Sequence, residues 1–380
     1  MNECWCRKVL FTTIFFFVDA KVNKENWMRD LPVELTSLPL TDIAIPGSHD
    51  SGSYSIHPKN VYKYGIDKKF EKVFKAIAND SDSENFMASI MYRWGKTQSL
   101  NLTEQLKRGI RYLDIRLMKG IDHVWHVSHG IAGMTLTEAL QQIKSFLLTH
   151  KKEVVLLDLN HVQSNIHKNN ETQRSILKEV LDTFGPMLCP AKEVASLTLQ
   201  RAWNLSVNVL FFYDPYPFKE EALYQEFASS SERIESPFNE KKFQQRTTWL
   251  SFLSNNYHSV RRSDSFHVTQ GVMVPHWLEI VAAGTDGDLK RWISDDASQA
   301  FVKWLHSKKA GPDGINIVIM DFVEDHNFTD TVLKLDQALD KKLRSDYNKR
   351  SHIVRSCQCR RILPSSFMYF VVLATIFQFL

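Results

Sequence analysis

The chain has 380 residues, of which 43% are hydrophobic and 24% are charged, and this near-average composition excludes disordered and fibrous architectures. Its 47 basic and 43 acidic side chains leave a net charge of +4, which is too small to indicate a nucleic-acid partner. The length allows one large domain or two of ordinary size.

Four of the five cysteines lie near the two ends of the chain, so only Cys189 lies in its body. This distribution excludes a disulfide framework or an internal zinc site and favours a reduced, cytoplasmic protein. Both ends carry apolar runs beside basic residues, at 9–18 and 367–380. The first resembles a short signal sequence without a clear cleavage site, and the second is shorter than a membrane-spanning helix. Peripheral membrane binding, and secretion or anchoring through these ends, therefore stay open.

Short apolar runs that are typical of buried parallel strands recur along the chain. They cover residues 40–46, 112–117, 123–128, 154–160, 207–213, 266–274 and 316–322. Residues 64–78 form a Lys-rich, helix-like stretch, and residues 215–252 form a polar, irregular insertion.

Helical patterns lie between several of these strands. Thr135 and Glu138 have the spacing of a capping box, and an apolar stripe at helical spacing follows them. The stripe consists of Leu136, Leu140, Ile143 and Leu147, and a similar one near the end consists of Val332, Leu335, Leu339 and Leu343. This alternation predicts a parallel α/β fold, and one core of about 300 residues favours a TIM-like (β/α) barrel. We predict a barrel over residues 27–345, an apolar and basic segment over 1–26, and a basic, then apolar tail over 346–380.

Polar side chains follow the predicted strands where a barrel builds its active site, at the carboxyl ends of the strands. These side chains are Ser48, His49, Asp50, Asp114, Arg116, His129, Asp158, Asn160, His161, Tyr213, Asp214 and Asp321. The sequence contains no Gly-rich phosphate loop, nucleophile elbow or HExxH motif. Two histidines with an arginine favour phosphoryl transfer by general acid and base catalysis, with the guanidinium stabilising charge on phosphate. Alternatively, polar residues at strand ends serve as caps and in turns.

Four motifs carry a resemblance to a known family. They are AIPGSHDS at 44–51, GIRYLDIR at 109–116, SHG at 128–130 and EVVLLDLNH at 153–161. In this order they resemble the X domain of phosphatidylinositol-specific phospholipase C, and most closely the PI-PLC X domain-containing proteins, which consist of little beyond that domain. The resemblance extends from about residue 27 to about residue 343.

The resemblance implies a TIM-like barrel, often incompletely closed, that acts in lipid degradation and signal transduction. It implies cleavage of an inositol phospholipid at a membrane surface, between glycerol and phosphate. His49 is then the general base for the inositol 2-hydroxyl, and His129 is the general acid for the diacylglycerol oxygen. The products are diacylglycerol and a cyclic inositol phosphate. Protein partners are not indicated.

The same resemblance implies supporting roles for further residues. Asp321 partners the base, Asp50 orients His129, and Arg116 binds the phosphate. We expect Asp114, Asn160 and Tyr213 to contact the substrate. His126 and His161 are interpreted as structural histidines.

Two departures from the family pattern matter. Calcium-dependent relatives carry acidic residues where Arg116 and Asn160 stand here, and the loss of two hard oxygen ligands weakens a calcium site. We therefore predict chemistry without a metal or another cofactor. Bacterial relatives carry a lysine near the Asn160 position and basic inositol contacts near Tyr213, and this chain has neither.

Two alternatives stay open. The missing basic contacts favour a catalytically weak protein that binds phosphoinositides or their headgroups on the same barrel. A metal-dependent, glycerophosphodiesterase-like barrel is the other alternative, although it needs a carboxylate cluster where Arg116 stands.

Overall fold

The computed structural model describes residues 23–67, 80–162, 170–213, 226–229, 233–236, 245–257, 264–284 and 286–361. Both apolar ends, Asp214 and most of the predicted helix-like stretch at 64–78 lie outside these ranges. Among the described helices, none is both long and apolar enough to cross a bilayer.

Eight parallel strands form the wall of the fold. Along the sheet their order is β7, β6, β5, β2, β1, β10, β9, β8, with numbers given in chain order. Their bounds are β1 Ile45–Ser48, β2 Tyr112–Lys119, β5 Val155–Val162, β6 Val209–Phe212, β7 Ala228–Ser229, β8 Ile234–Glu235, β9 Phe266–Gly271 and β10 Ile317–Met320. No ladder among the described residues joins β7 to β8, so the sheet is not closed there. The predicted TIM-like, incompletely closed barrel is confirmed.

Eleven α-helices are described around and beside the sheet. They are α1 Val33–Thr36, α2 Asn60–Lys63, α3 Ser81–Gly95, α4 Leu102–Lys107, α5 Leu136–Thr149, α6 Asn170–Phe184, α7 Leu199–Leu205, α8 Arg246–Asn256, α9 Trp277–Ala282, α10 Asp295–Leu305 and α11 Phe328–Arg361. The predicted capping box at the start of α5 is confirmed, because the amide of Glu138 donates to Thr135 Oγ1 at 3.2 Å and the amide of Thr135 donates to Glu138 Oε2 at 2.8 Å.

The prediction of a parallel strand at 123–128 is wrong. This run belongs to β3, Trp125–His129, which pairs antiparallel with β2 and then with β4, Ile131–Thr135. Only residues 120–124 separate β2 from β3, whereas a parallel crossover needs a dozen residues or more. Instead of a crossover, β3 and β4 form an antiparallel hairpin at the carboxyl end of β2.

Two other predicted elements also change. In place of a strand that begins at residue 40, Leu40–Asp42 forms a 3-10 turn, and the strand begins at Ile45. The side-chain amide of Asn316 holds this turn by donating to the carbonyls of Leu40 and Ile43. The start of the helix-like stretch at 64–78 is not helical, because Ile66 forms an isolated bridge with Ile131.

The core has two layers. Inside the barrel, apolar side chains such as Ile45, Leu156 and Phe212 pack together. Leu157 and Phe211, each adjacent in the chain to one of these residues, face the helices on the other side of the sheet. This alternation is the period-2 pattern of strands. It leaves the carboxyl ends of the inner face available for polar side chains.

Candidate active site

The structure brings five of the predicted residues together at the carboxyl end of the barrel. His49 and Asp50 directly follow β1, and Arg116 lies in the last part of β2. His129 ends β3, and Asp321 directly follows β10. Because β1 pairs with both β2 and β10, their ends meet at the same edge. We call these five residues the cluster.

His49 is fixed by a chain of hydrogen bonds that begins at Asp321. Its Nδ1 lies 2.8 Å from Asp321 Oδ1, and the other carboxylate oxygen accepts a hydrogen bond from Ser294 Oγ at 2.9 Å. The guanidinium of Arg116 lies 3.0 Å from Nε2 of His49. A guanidinium can only donate, so this contact corresponds to a neutral ring that carries its proton on Nδ1.

Sequence reasoning missed Ser294, which is buried at the end of a π-helical turn, Lys290–Ser294. Such turns occur often at functional sites. The turn sits immediately before α10 and directs the hydroxyl of Ser294 towards Asp321. No local pattern in the sequence marks it.

Two carboxylates control the protonation of His49. Burial lowers the pKa of this ring, but the charge of Asp50 and the hydrogen bond and charge of Asp321 outweigh burial and the charge of Arg116. The pKa of His49 is thereby raised to about 9. The site therefore stabilises the imidazolium that forms when His49 accepts a proton.

His129 lies across from His49, with ring centroids 6.2 Å apart and an angle of 76° between the rings. Its Nδ1 donates to the carbonyl oxygen of Gly95 at 2.6 Å, and its Nε2 lies 3.1 Å from Asp50 Oδ2. Burial lowers the pKa of His129, and the charge of Asp50 only partly compensates. A Cβ atom at position 95 would lie 2.9 Å from the carbonyl oxygen of His129, so the close approach requires glycine.

Asp50 stands between the two imidazoles. Its Oδ2 lies 3.4 Å from Nε2 of His49, and its Oδ1 contacts Nε of Arg116. Burial raises the pKa of Asp50, but the charges of Arg116 and the histidines around it bring this pKa well below its usual value. The residue has a φ of +43°, and its amide donates to Asp114 Oδ2 at 3.1 Å. Asp50 is therefore held as a carboxylate by its surroundings.

Two further charged side chains, Arg116 and Asp114, contact Asp50. The side chain of Arg116 is 29% exposed, and one of its terminal nitrogens lies 3.7 Å from Asp114 Oδ2. Asp114 is buried and holds the backbone of Asp50. The sequence predicted a substrate contact for Asp114, and the structure places it beneath Asp50 and Arg116.

Three of these side chains also have the spacing of metal ligands. Ligand atoms of His49, Asp50 and Asp114 lie within 4.8 Å of one another. The guanidinium of Arg116 already contacts all three of them, His49, Asp50 and Asp114. It supplies positive charge where a cation would bind.

The structure does not place the other two predicted substrate contacts, Asn160 and Tyr213, in the cluster. Asn160 lies in β5, but its side chain lies outside the described part of the structure. Tyr213 is only 2% exposed and stacks on Phe211 in the helix-facing layer. Because Phe212 pairs with Asp158 on the inner face, Tyr213 lies on the opposite face of the sheet. The structure thus does not bring Tyr213 to the cluster.

Comparison with known proteins agrees with the family resemblance found in the sequence. The family model "Phosphatidylinositol-specific phospholipase C, X domain" matches residues 81–210. Human PI-PLC X domain-containing protein 3 is 32% identical over 322 residues, which are 83% of this chain and 94% of that protein. Mouse PI-PLC X domain-containing protein 2 is 30% identical over 326 residues, which are 85% of this chain and 91% of that protein.

Solved structures show the same fold. The phosphatidylinositol-specific phospholipase C from Listeria monocytogenes superposes with a TM-score of 0.54 at 19% identity, covering 83% of this chain and 98% of that one. A Staphylococcus aureus enzyme of the same name superposes with a TM-score of 0.56 at 17% identity, covering 83% and 97%. At these identities the likeness concerns the fold alone.

Proposed function

The chain belongs to the PI-PLC X domain-containing proteins, and from this membership and the geometry of the cluster we propose that it is a phosphoric diester hydrolase acting on an inositol phospholipid. The observation that carries the proposal is the paired arrangement of His49 and His129. Each ring is fixed through Nδ1, and each presents Nε2 to the carboxylate of Asp50. Arg116 contacts both this carboxylate and Nε2 of His49. Two fixed imidazoles beside a guanidinium are suited to general acid and base catalysis on a phosphodiester.

In the proposed reaction the inositol 2-hydroxyl oxygen attacks phosphorus, and its proton passes to Nε2 of His49. The bond between phosphorus and the glycerol oxygen breaks, and that oxygen takes the proton from Nε2 of His129. Diacylglycerol leaves, and the cyclic inositol phosphate remains. Arg116 stabilises the negative charge that develops on the phosphate oxygens, without a metal ion.

Exposed apolar side chains around the mouth of the barrel support a membrane-bound substrate. The connections that follow the carboxyl ends of strands expose Tyr62, Phe86, Ile121, Val124, Val274, Leu278 and Trp292. Within the connection after β1, the hydroxyl of Tyr62 donates to Asn85 Oδ1 at 3.1 Å and so holds two parts of this connection together. Exposed apolar and aromatic groups at one end of a molecule suit a lipid surface. We propose that this end docks peripherally on the membrane.

The experiment that tests the function is hydrolysis of phosphatidylinositol micelles in EDTA and in calcium. The variants are His49→Ala and, as a matched control, His306→Ala, which replaces an exposed histidine outside the cluster. We expect cleavage in EDTA that falls by at least about 10³-fold in His49→Ala and is retained in His306→Ala. Strict calcium dependence would contradict the metal-free mechanism.

One observation favours the alternative of a headgroup-binding protein with weak turnover. The pKa of His49 is raised to about 9, whereas that of His129 is lowered. The reaction needs a neutral His49 and a protonated His129, so only a small fraction of the free protein has the required protonation state. Inactivity in both buffers, together with binding of phosphatidylinositol vesicles, would establish this alternative.

A further inference from the structure

The pairing of β2 with β5 contains an irregularity beside the cluster. Asp114 pairs with Asp158, but the next recorded pair is Arg116 with His161. Two steps along β2 therefore correspond to three steps along β5. The extra residue is a β-bulge, and bulges occur often next to active sites, where they redirect a side chain.

The bulge decides which residue of β5 stands beside Arg116. In a regular ladder Asn160 would occupy that position, since it lies two residues after Asp158, as Arg116 lies two after Asp114. The shift by one residue places His161 in register with Arg116 instead. Residues in register on neighbouring parallel strands present their side chains on the same face of the sheet.

A second observation places the imidazole of His161 near the cluster. An electrostatic interaction with His161 is one of the causes that lower the pKa of Asp50. His161 is also exposed, whereas His49 and His129 are largely covered, with 12% and 24% of their side chains exposed. His161 thus lies at the outer side of the mouth, within electrostatic reach of Asp50.

We propose that His161 is a specificity residue that hydrogen-bonds an oxygen of the inositol ring when Arg116 holds the phosphodiester. This rests on the proposed function for the identity of the substrate. A ring that projects from the phosphate towards β5 would meet His161 next. An imidazole is suited to this contact because a ring nitrogen can donate to a hydroxyl or to a phosphate oxygen. This proposal differs from the interpretation of His161 as a structural histidine, and the experiment below decides between the two.

The test separates the ring contact from the phosphodiester contact. Binding of glycerophosphoinositol and of glycerophosphoglycerol, an anionic diester without the ring, is measured by calorimetry in the His49→Ala background, so that neither probe is consumed. We expect His161→Ala to weaken binding of glycerophosphoinositol about tenfold and to leave binding of glycerophosphoglycerol unchanged. His161→Gln, which keeps a side-chain donor, should retain most of the affinity.

The matched control is His57→Ala, which replaces another exposed histidine in the connection after β1. In turnover of phosphatidylinositol, His161→Ala should raise KM about tenfold with kcat changed less than twofold. Equal binding by His161→Ala and its parent, or an equal loss for both probes, would overturn the inference. Failure of the proposed function is recognised separately, because it shows as inactivity of the wild-type protein while the calorimetric comparison still decides the role of His161.

Discussion

Replacing Asp50 by asparagine tests the electrostatics on which the proposed reaction depends. Asparagine has nearly the same shape as aspartate and tolerates the positive φ of this position, so the backbone is expected to stay in place. The substitution removes the carboxylate that lies 3.4 Å from His49 and 3.1 Å from His129. Arg116 then loses one of its two carboxylate partners.

The structure sets the direction and size of the effect. Raising the pKa of His49 from 6.5 to about 9 corresponds to about 3 kcal/mol in favour of its imidazolium. The charge of Asp50 is the largest of the contributions that raise this pKa. Without it we expect the pKa of His49 to fall by more than about one unit. The pKa of His129, which Asp50 also raises, should fall further below its ordinary value.

The pH dependence of kcat/KM measures both changes. The reaction needs neutral His49 and protonated His129, and here the base has the higher pKa. The value of kcat/KM therefore declines when the pH falls below the pKa of His129, and it also declines when the pH rises above the pKa of His49, which is about 9. In Asp50→Asn both limits should move to lower pH, and the maximum should drop about 10²-fold because His129 and Arg116 lose their orienting partner.

The assay is initial-rate cleavage of phosphatidylinositol micelles between about pH 5 and pH 10. Asp122→Asn is the matched control, since it removes an aspartate that lies 3.0 Å from Nε2 of His126 outside the cluster. It should leave both limits unchanged. An upper limit that stays near pH 9 in Asp50→Asn would refute the reasoning.

Three further predictions follow from single contacts. Ser294→Ala removes a donor to Asp321, so kcat should fall about tenfold with KM within about twofold, and an unchanged kcat would show that Asp321 does not need this hydrogen bond. Arg116→Lys should lower kcat about 10²-fold, because an ammonium cannot reproduce the guanidinium's contacts, and a kcat within about twofold of the wild-type value would contradict this role of Arg116. Asp336 is buried against the amide of Ala44, and burial raises its pKa well above the ordinary value. The stability that protonated Asp336 contributes is therefore present below about pH 4 and is lost as the pH rises. Asp336→Asn should raise the free energy of unfolding by at least about 1 kcal/mol at pH 8 and leave it unchanged at pH 4. Urea denaturation at the two pH values measures this difference.

The sequence alone determined the strand pattern and most of the cluster. Runs of apolar residues indicated buried parallel strands, and the carboxyl ends of such strands meet at one edge of a barrel. This rule gave twelve polar residues at strand ends, and the family resemblance then selected His49, Asp50, Arg116, His129 and Asp321 among them, although 272 positions separate His49 from Asp321. The five-residue connection before β3 is too short for a parallel crossover, so its length alone indicates a hairpin.

Only the tertiary structure decided the arrangement around that cluster. A bulge shifts the register of β5 by one residue and brings His161, rather than Asn160, opposite Arg116. A π-helical turn brings Ser294 to Asp321. The physical reason is that both features depend on how neighbouring elements pack, whereas sequence periodicity reports only which face of a regular element is buried. A local break in that regularity changes the partner of a side chain without changing the apolar pattern from which the fold was predicted.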